Sequence, residues 1–424
     1  MKTLTNIALM GAGTVVKMVA GLLALAVLAR TLGADGFGSL MVFLSAAGVL
    51  CVVSSLGLNT FVLREIAREP HSASATIADT LVAKLFLVVV TCVLALILAV
   101  SSRRFGDPVF LILLLTLLAE GFTEFFNIGL RATGQYALEA RQSLLAALLN
   151  SSLVISAALV GDSLIVVAIA YLVSRVLVTL LAFLSFSRRV GAVRLGSAGA
   201  GLRCLRNTVS YSIDAALSAL FGQVDGVVLG AYLSLSAVGI YQGGLRIFMS
   251  ALTGAGILTN VYLPKAAAEL AAGRGRPSAG CGQVVLAYAG FGLVVGGLFA
   301  LLLPALVEYF YGEAFAPLKT MLPWFGLLFA ARMVAGAWGV LLTAKGEQRF
   351  RSIGMAAHWG VIAVIGALSI PAWAGIGWIV AMLGGTVFLG LVYASRAFDL
   401  VTSKPLALCA SLSPLLLLPF LRAA

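Results

Sequence analysis

Charge is scarce in this chain. Only 10% of its 424 residues are charged, whereas 61% are apolar. A soluble domain carries roughly 25% charged residues, so too little polar surface is available to face water on all sides. That excludes an ordinary soluble globule. Cysteine is sparse as well. Cys51, Cys92, Cys204, Cys281 and Cys409 stand at spacings that fit neither a metal site nor a disulfide framework, and they read as small apolar residues. A Gly-rich phosphate loop, an HExxH pair and a GxSxG elbow in a credible context are also missing. The sequence therefore gives no reason to expect a catalytic residue, a metal or a cofactor.

What the chain does have is apolar runs of bilayer-spanning length, about 20 residues each. The first follows Lys2 and could be mistaken for a signal peptide. It is too long for a signal h-region and contains Lys17, so it reads as a retained helix. Run length predicts about twelve spans. Their approximate limits are 6–29, 39–62, 80–101, 108–130, 142–160 and 164–187, then 207–232, 237–262, 281–303, 320–343, 352–372 and 374–395. A shorter run from Leu406 to Leu421 is either a thirteenth span or an interfacial segment. The expected fold class is an all-α polytopic membrane protein with two six-helix bundles.

The formal net charge is +12. In a soluble protein that would raise nucleic acid as a partner. Here the cations lie in short loops, which points to topology instead. If the N-terminus is cytoplasmic, Arg64, Arg68, Arg188, Arg189, Arg203, Arg206, Lys265, Arg349 and Arg351 lie inside, with others. Only Arg30, Arg103, Arg104 and Lys319 lie outside. The third span carries Lys84 near one end, where the long stem is expected to snorkel to the surface.

A weak internal repeat divides the chain. One constant offset pairs Asn6 with Asn207, Gly21 with Gly222, Leu28 with Leu229, Leu32 with Leu233 and Gly38 with Gly239. The expected domains are a six-helix bundle over 1–187, a Gly- and Arg-rich cytoplasmic linker over 188–206, a second bundle over 207–397, and a tail over 398–424. Six helices return the chain to its starting side, so the halves are parallel repeats with a cleft between them.

Polar residues recur inside the spans at helical spacing. Thr116, Glu120, Glu124 and Asn127 share a face that Arg131 continues; Tyr171, Arg175 and Thr179 share another. Asp214, Ser218 and Asp225 form a third stripe, and Gln242, Arg246, Ser250 and Thr253 a fourth. Ionisable groups at bilayer depth are costly and usually face a cavity or a partner. The candidate cavity cations are Arg175, Arg246, Arg332, Lys17 and Arg30. The competing reading makes Arg175, Arg246 and Arg332 members of structural ion pairs with Glu120, Asp214 or Asp225, and Arg30 a helix-end anchor. The candidates for ion coupling are Glu120, Glu124, Asp214 and Asp225. Glu120 and Glu124 lie one turn apart and resist joint ionisation.

The stretches Leu28-Ala-Arg-Thr-Leu-Gly-Ala-Asp-Gly-Phe-Gly38, Leu63-Arg-Glu-Ile-Ala67 and Val224-Asp-Gly-Val-Val-Leu-Gly-Ala-Tyr232 resemble the polysaccharide biosynthesis flippases. These are the O-antigen-repeat type within the multidrug/oligosaccharidyl-lipid/polysaccharide exporter superfamily. The resemblance implies two six-helix bundles around a central cavity that alternates its access. It implies a polyprenyl-pyrophosphate-linked oligosaccharide as substrate, moved across the bacterial inner membrane for surface polysaccharide such as the O-antigen of lipopolysaccharide. The lipid bilayer and the glycan polymerase machinery are the expected partners. Peptidoglycan-precursor flippases are similar but usually carry two further helices. The other readings are a cation-coupled multidrug exporter, which calls for a cavity dominated by acids, and a membrane glycan polymerase or ligase, which calls for a sizeable external loop.

Overall fold

The computed structural model describes residues 2–69, 73–161, 163–191, 195–206, 208, 220, 222–272 and 277–421, without the side chains of 2–14 and 67. Among these residues the chain is helical throughout, and the one β-bridge joins Ser278 to Val401. It forms two compact units, Met1–Val228 and Leu229–Ala424. Ten helices among the described residues are long and apolar enough to cross a membrane.

The N-terminal unit begins with α1, Lys2–Ser55. Its length is two spans, and it is broken at Gly33, whose backbone (φ 65, ψ −178) leaves the helical region. Glycine adopts that conformation without a Cβ clash. The same repeat offset carries Gly33 onto Ser234, which lies in the gap between α7, Val224–Tyr232, and α8, Leu235–Ala272. Both copies of the repeat therefore break at one equivalent position. The sequence placed the second span at 39–62. The helix instead stops at Ser55, Gly57 takes a left-handed φ of 73, and a separate α2, Leu58–Arg68, follows. Its apolar face, Val62 and Ile66, enters the core while Arg64 and Glu65 stay outside that core.

The next spans are α3, Ala73–Ser101, α4, Pro108–Ala132, α5, Tyr136–Val160, and α6, Leu164–Arg189. Asp107 starts α4 by accepting the Val109 N–H at 2.9 Å, with Pro108 at the first helical position. These caps put Glu120 at the middle of α4. Helix α4 packs on α6 through Phe126, Phe183 and Phe186. Thr179 reinforces the contact, bonding the Thr123 hydroxyl and the Ala119 carbonyl, each at 2.8 Å. Interhelical side-chain bonds of this kind average about 0.6 kcal/mol in membrane proteins. The segment 198–206 is helical and sets Cys204 against Ala83 and Leu87 of α3.

In the C-terminal unit, α8 runs on past the expected end of its span at residue 262, with Pro264 inside it. Then come α9, Ala279–Gly297, α10, Leu303–Tyr311, and α11, Leu318–Lys345. Helix α11 is the centre of the unit: 89% of its most apolar stretch is buried, and it packs on α8, α9 and α12. It meets α9 backbone to backbone, where a Cβ on Gly326 would lie 2.5 Å from the Gly296 carbonyl oxygen. Helix α12, Gln348–Ala397, is two expected spans joined by a sharp reversal after Pro371. Ala374 takes φ 49 and ψ −127 there, a strained conformation for a residue with a Cβ. The Ser369 hydroxyl donates to the Gly377 carbonyl at 2.8 Å across the reversal. The terminal run over 404–421 begins with α13, Lys404–Leu412, and docks on α9 and α11.

Candidate functional site

A cavity of about 750 Å³ opens within the N-terminal unit. Five helices line it with one face each. Glu120, Gly121, Glu124 and Asn127 come from α4 at the spacing of a single stripe. Helix α5 gives Ser143, Ala147, Asn150 and Ser151. Lys17, Gly21 and Gly48 come from α1, Asn59 and Thr60 from α2, and Arg175 from α6. Gln223, just before α7, closes one wall. It reaches inward because residue 48 is glycine: a Cβ there would lie 2.5 Å from the Gln223 Oε1.

The charges in this cavity are mutually arranged. Arg175 Nη2 lies 3.4 Å from Glu120 Oε1. Both side chains keep partial access to the cavity, at 23% and 46% exposure, so the pair is a wet one. Glu124 stands 3.7 Å from Arg131 Nη2, but Arg131 sits nearer Glu139, at 2.8 Å. Asn150 accepts from the Ser174 hydroxyl at 2.8 Å, holding α5 to α6 beside the opening.

Behind this wall lies Lys84. The snorkelling expected of it does not occur: it is 1% exposed, its ammonium 5.2 Å from the Phe122 ring and 5.8 Å from the Phe125 ring. Helix α3 starts at Ala73, which puts Lys84 well inside the span and out of reach of either end. It interacts electrostatically with Glu124 and Cys51. The ring faces and the nearby carboxylate stabilise the cation there.

The sequence candidates are thus distributed unevenly. Lys17, Arg175, Glu120 and Glu124 share the N-terminal cavity. Arg30 is exposed on α1 and lines no cavity described here. Asp225 is fully buried in the first turn of α7, where a helix N-terminus favours negative charge. Asp214 lies outside the described residues. Arg246, on α8, interacts with the buried Tyr311 of α10. Arg332 lines a second cavity of about 320 Å³ inside the C-terminal unit, with Arg351, Tyr288, Thr259 and Thr343.

Sequence reasoning missed Gln223, Asn59 and the polar face of α5. That face was visible as Ser143, Ala147, Asn150 and Ser151 at helical spacing, but a search for charges passed over it. Among the described residues no cluster of metal-ligating side chains forms, and all five cysteines are free. Burial pushes the Cys204 thiol up to about 12, with Asp79 adding to the effect, so it stays an unreactive thiol.

The family described as polysaccharide biosynthesis protein matches residues 3–266. No curated protein matches the chain at a significant level. Among solved structures, the chain is similar to the lipid II flippase MurJ in an inward closed conformation. The TM-score is 0.69 at 12% identity, covering 97% of this chain and 92% of that one. It is also similar to an inward-facing multidrug resistance MATE family transporter of the MOP superfamily, with a TM-score of 0.64 at 16% identity, covering 96% of each chain. A eukaryotic MATE transporter gives 0.54 at 15% identity, covering 96% of this chain and 97% of that one. At these identities the likeness establishes the fold.

Proposed function

The chain belongs to the polysaccharide biosynthesis protein family, and from that premise we propose that it flips a polyprenyl-pyrophosphate-linked oligosaccharide across the bacterial inner membrane by alternating access. The observation that carries this reading is the meeting of Lys17 and Arg175 with Glu120 and Glu124 in one cavity, midway along apolar helices. A pyrophosphate at that depth needs cations, and the guanidinium fork of Arg175 matches phosphate oxygens in pairs. Lys17 supplies a second, compact charge. Arg246, in the other unit, is a further head-group cation on this proposal. Glu120 and Glu124 take up the coupling proton or cation, because carboxylates at depth are costly unless neutralised. We read the halves 1–187 and 207–397 as six-helix bundles joined by the linker 188–206, with the N-terminus in the cytoplasm. The cavity's acids are matched by its cations, which weighs against a drug exporter whose cavity acids dominate.

The test is restoration of surface glycan in a strain lacking its own flippase, with membrane levels checked by blotting. Arg175→Ala and Lys17→Ala are expected to insert normally and to weaken substrate binding about tenfold to a hundredfold, as loss of a charged hydrogen bond implies. Arg175→Lys keeps the charge without the fork and restores export in part. Full export by both alanine variants overturns the assignment. Collapse of Arg175→Ala levels, restored by adding Glu120→Ala, makes the pair structural instead.

A further inference from the structure

We propose that Arg131 is a positioning residue that carries the charge state of Glu124 to the turn between α4 and α5. When Glu124 takes up a proton or a cation, Arg131 passes wholly to Glu139 and the turn tightens. The proposal rests on the reading of Glu124 as a coupling group. It begins with a shared atom. Arg131 Nη2 lies 2.8 Å from Glu139 Oε1 and 3.7 Å from Glu124 Oε1. The shorter contact is a hydrogen bond and the longer one an ion pair without one. Two carboxylates thus compete for one nitrogen, and an ionised Glu124 pulls against Glu139.

The helices put these residues where such a competition matters. Glu124 lines the cavity, and Arg131, seven residues on, continues its face in the last turn of α4. Glu139 lies in the first turn of α5. A cation at a helix C-terminus and an anion at a helix N-terminus are each favoured, so the pair also fixes how the two helices meet. Thr133, Gly134 and Gln135 are all that separates them. Gly134 takes φ 78, and the Gln135 N–H reaches back to the Leu130 carbonyl at 2.9 Å. A turn so short passes a pull on Arg131 to α5. The other charged groups near Glu124 have different neighbours. Glu120, one turn away, has Arg175 of α6 at 3.4 Å. Lys84 of α3 is buried against Phe122 and Phe125. Lys17 of α1 lines the same cavity, and α2 contributes the uncharged Asn59 and Thr60. Tyr136, at the start of α5, stands near Arg131. Among the described residues Arg131 is the cation in ion-pair contact with Glu124.

The experiment uses the full-length protein in phosphatidylcholine vesicles, with two readouts. The first is the infrared band of the protonated Glu124 carboxyl, assigned by its loss in Glu124→Gln. Arg131→Met is expected to bring that band in at a pH higher by about half a unit. Glu139→Gln, which frees Arg131, brings it in at a pH lower by about as much. Arg131→Lys falls between Arg131→Met and wild type, and normal elution on gel filtration shows that the fold persists. The second readout is hydrogen exchange over residues 133–138 at fixed pH. Glu124→Gln slows it about twofold to fivefold, and no longer does so once Arg131→Met is added. If Arg131→Met fails to fold, Arg131→Lys and Glu139→Gln carry the test through shifts of opposite sign. Shifts of the same sign, no shift, or exchange at the turn that ignores Glu124 overturns the proposal. Slowed exchange together with a gradient response that survives Glu124→Gln overturns the coupling reading, and with it the link to export, so the two failures are distinct.

Discussion

Each unit of the molecule contains a polar cavity, and the two are charged differently. In the N-terminal unit the ionisable groups come in opposing pairs: Arg175 faces Glu120, and Glu124 has Arg131 and the buried Lys84 nearby. In the C-terminal unit the described lining holds Arg332 and Arg351 and no acid. A balanced cavity is stable when empty and changes state when one proton or one ion arrives. The two units thus differ in the balance of charge that lines their cavities.

The largest expected effect comes from occluding the balanced cavity. Gly48→Leu drives a side chain into Gln223, whose Oε1 already lies where a Cβ would go. Surface glycan should then be lost altogether, with the protein still present in the membrane. The matching substitution in the C-terminal cavity, Gly336→Leu, meets Tyr288 only at ordinary contact distance, 3.6 Å. It should leave export largely intact. Equal loss of export from both would erase the distinction between the cavities.

Next in size is Glu124→Gln, which removes one titrating carboxylate and leaves the shape alone. Export should persist but lose its response to an imposed ion gradient, measured in vesicles at fixed voltage. A response identical to wild type removes Glu124 from coupling. A smaller effect is expected from the double-mutant cycle of Glu120→Ala with Arg175→Ala. The pair is partly exposed, so its coupling should be about 0.5–1 kcal/mol in thermal unfolding. The parallel cycle of Arg332→Gln with Arg351→Gln should show no attraction at all in phosphate-free buffer, because like charges share that lining.

The smallest effect lies outside the membrane. Lys345 and Arg396 beside Glu347 hold its carboxyl below the ordinary glutamate range. A lowered folded-state pKa means that the contribution is present above the unfolded value and lost as pH falls through the folded one. Glu347→Gln should therefore lower stability slightly near neutral pH. That difference should shrink as pH falls below the ordinary glutamate pKa and vanish once it is below the lowered folded-state value. A constant difference across that range would show that the turn, and not its charge, is responsible.

Much of this was legible in the sequence, because apolar run length responds directly to bilayer thickness. Span limits such as 108–130 and 164–187 fall within a few residues of α4 and α6. The stripe of Glu120, Glu124 and Asn127 was legible too, since helical spacing alone puts it on one face. Lys84 was misjudged because its surroundings come from another helix: Phe122 and Phe125 make a place for a cation that no local pattern records. Gln223 was missed because its position depends on the absence of a side chain at Gly48, far away in sequence. Arg351 was read as a loop cation because it lies close to a span end. Its packing depends on Thr343 at the end of α11 and on Glu347 pairing with Lys345 and Arg396, which no local pattern records.

Helix α8 has a consequence of its own. Its 38 residues rise about 57 Å at 1.5 Å each, nearly twice the roughly 30 Å of a bilayer's hydrocarbon. The surplus cannot be absorbed by ordinary tilt. The eight residues beyond Pro264 carry Lys265 and Glu269 and extend past the apolar part in which Arg246 lies, with Ala266 and Leu270 still packed against the protein. Proline removes one backbone hydrogen bond where the two parts meet, which makes that point a flexure. The helix is therefore a rod longer than the bilayer, jointed at Pro264. A joint at Pro264 lets the end of the helix shift without carrying with it the part that holds Arg246.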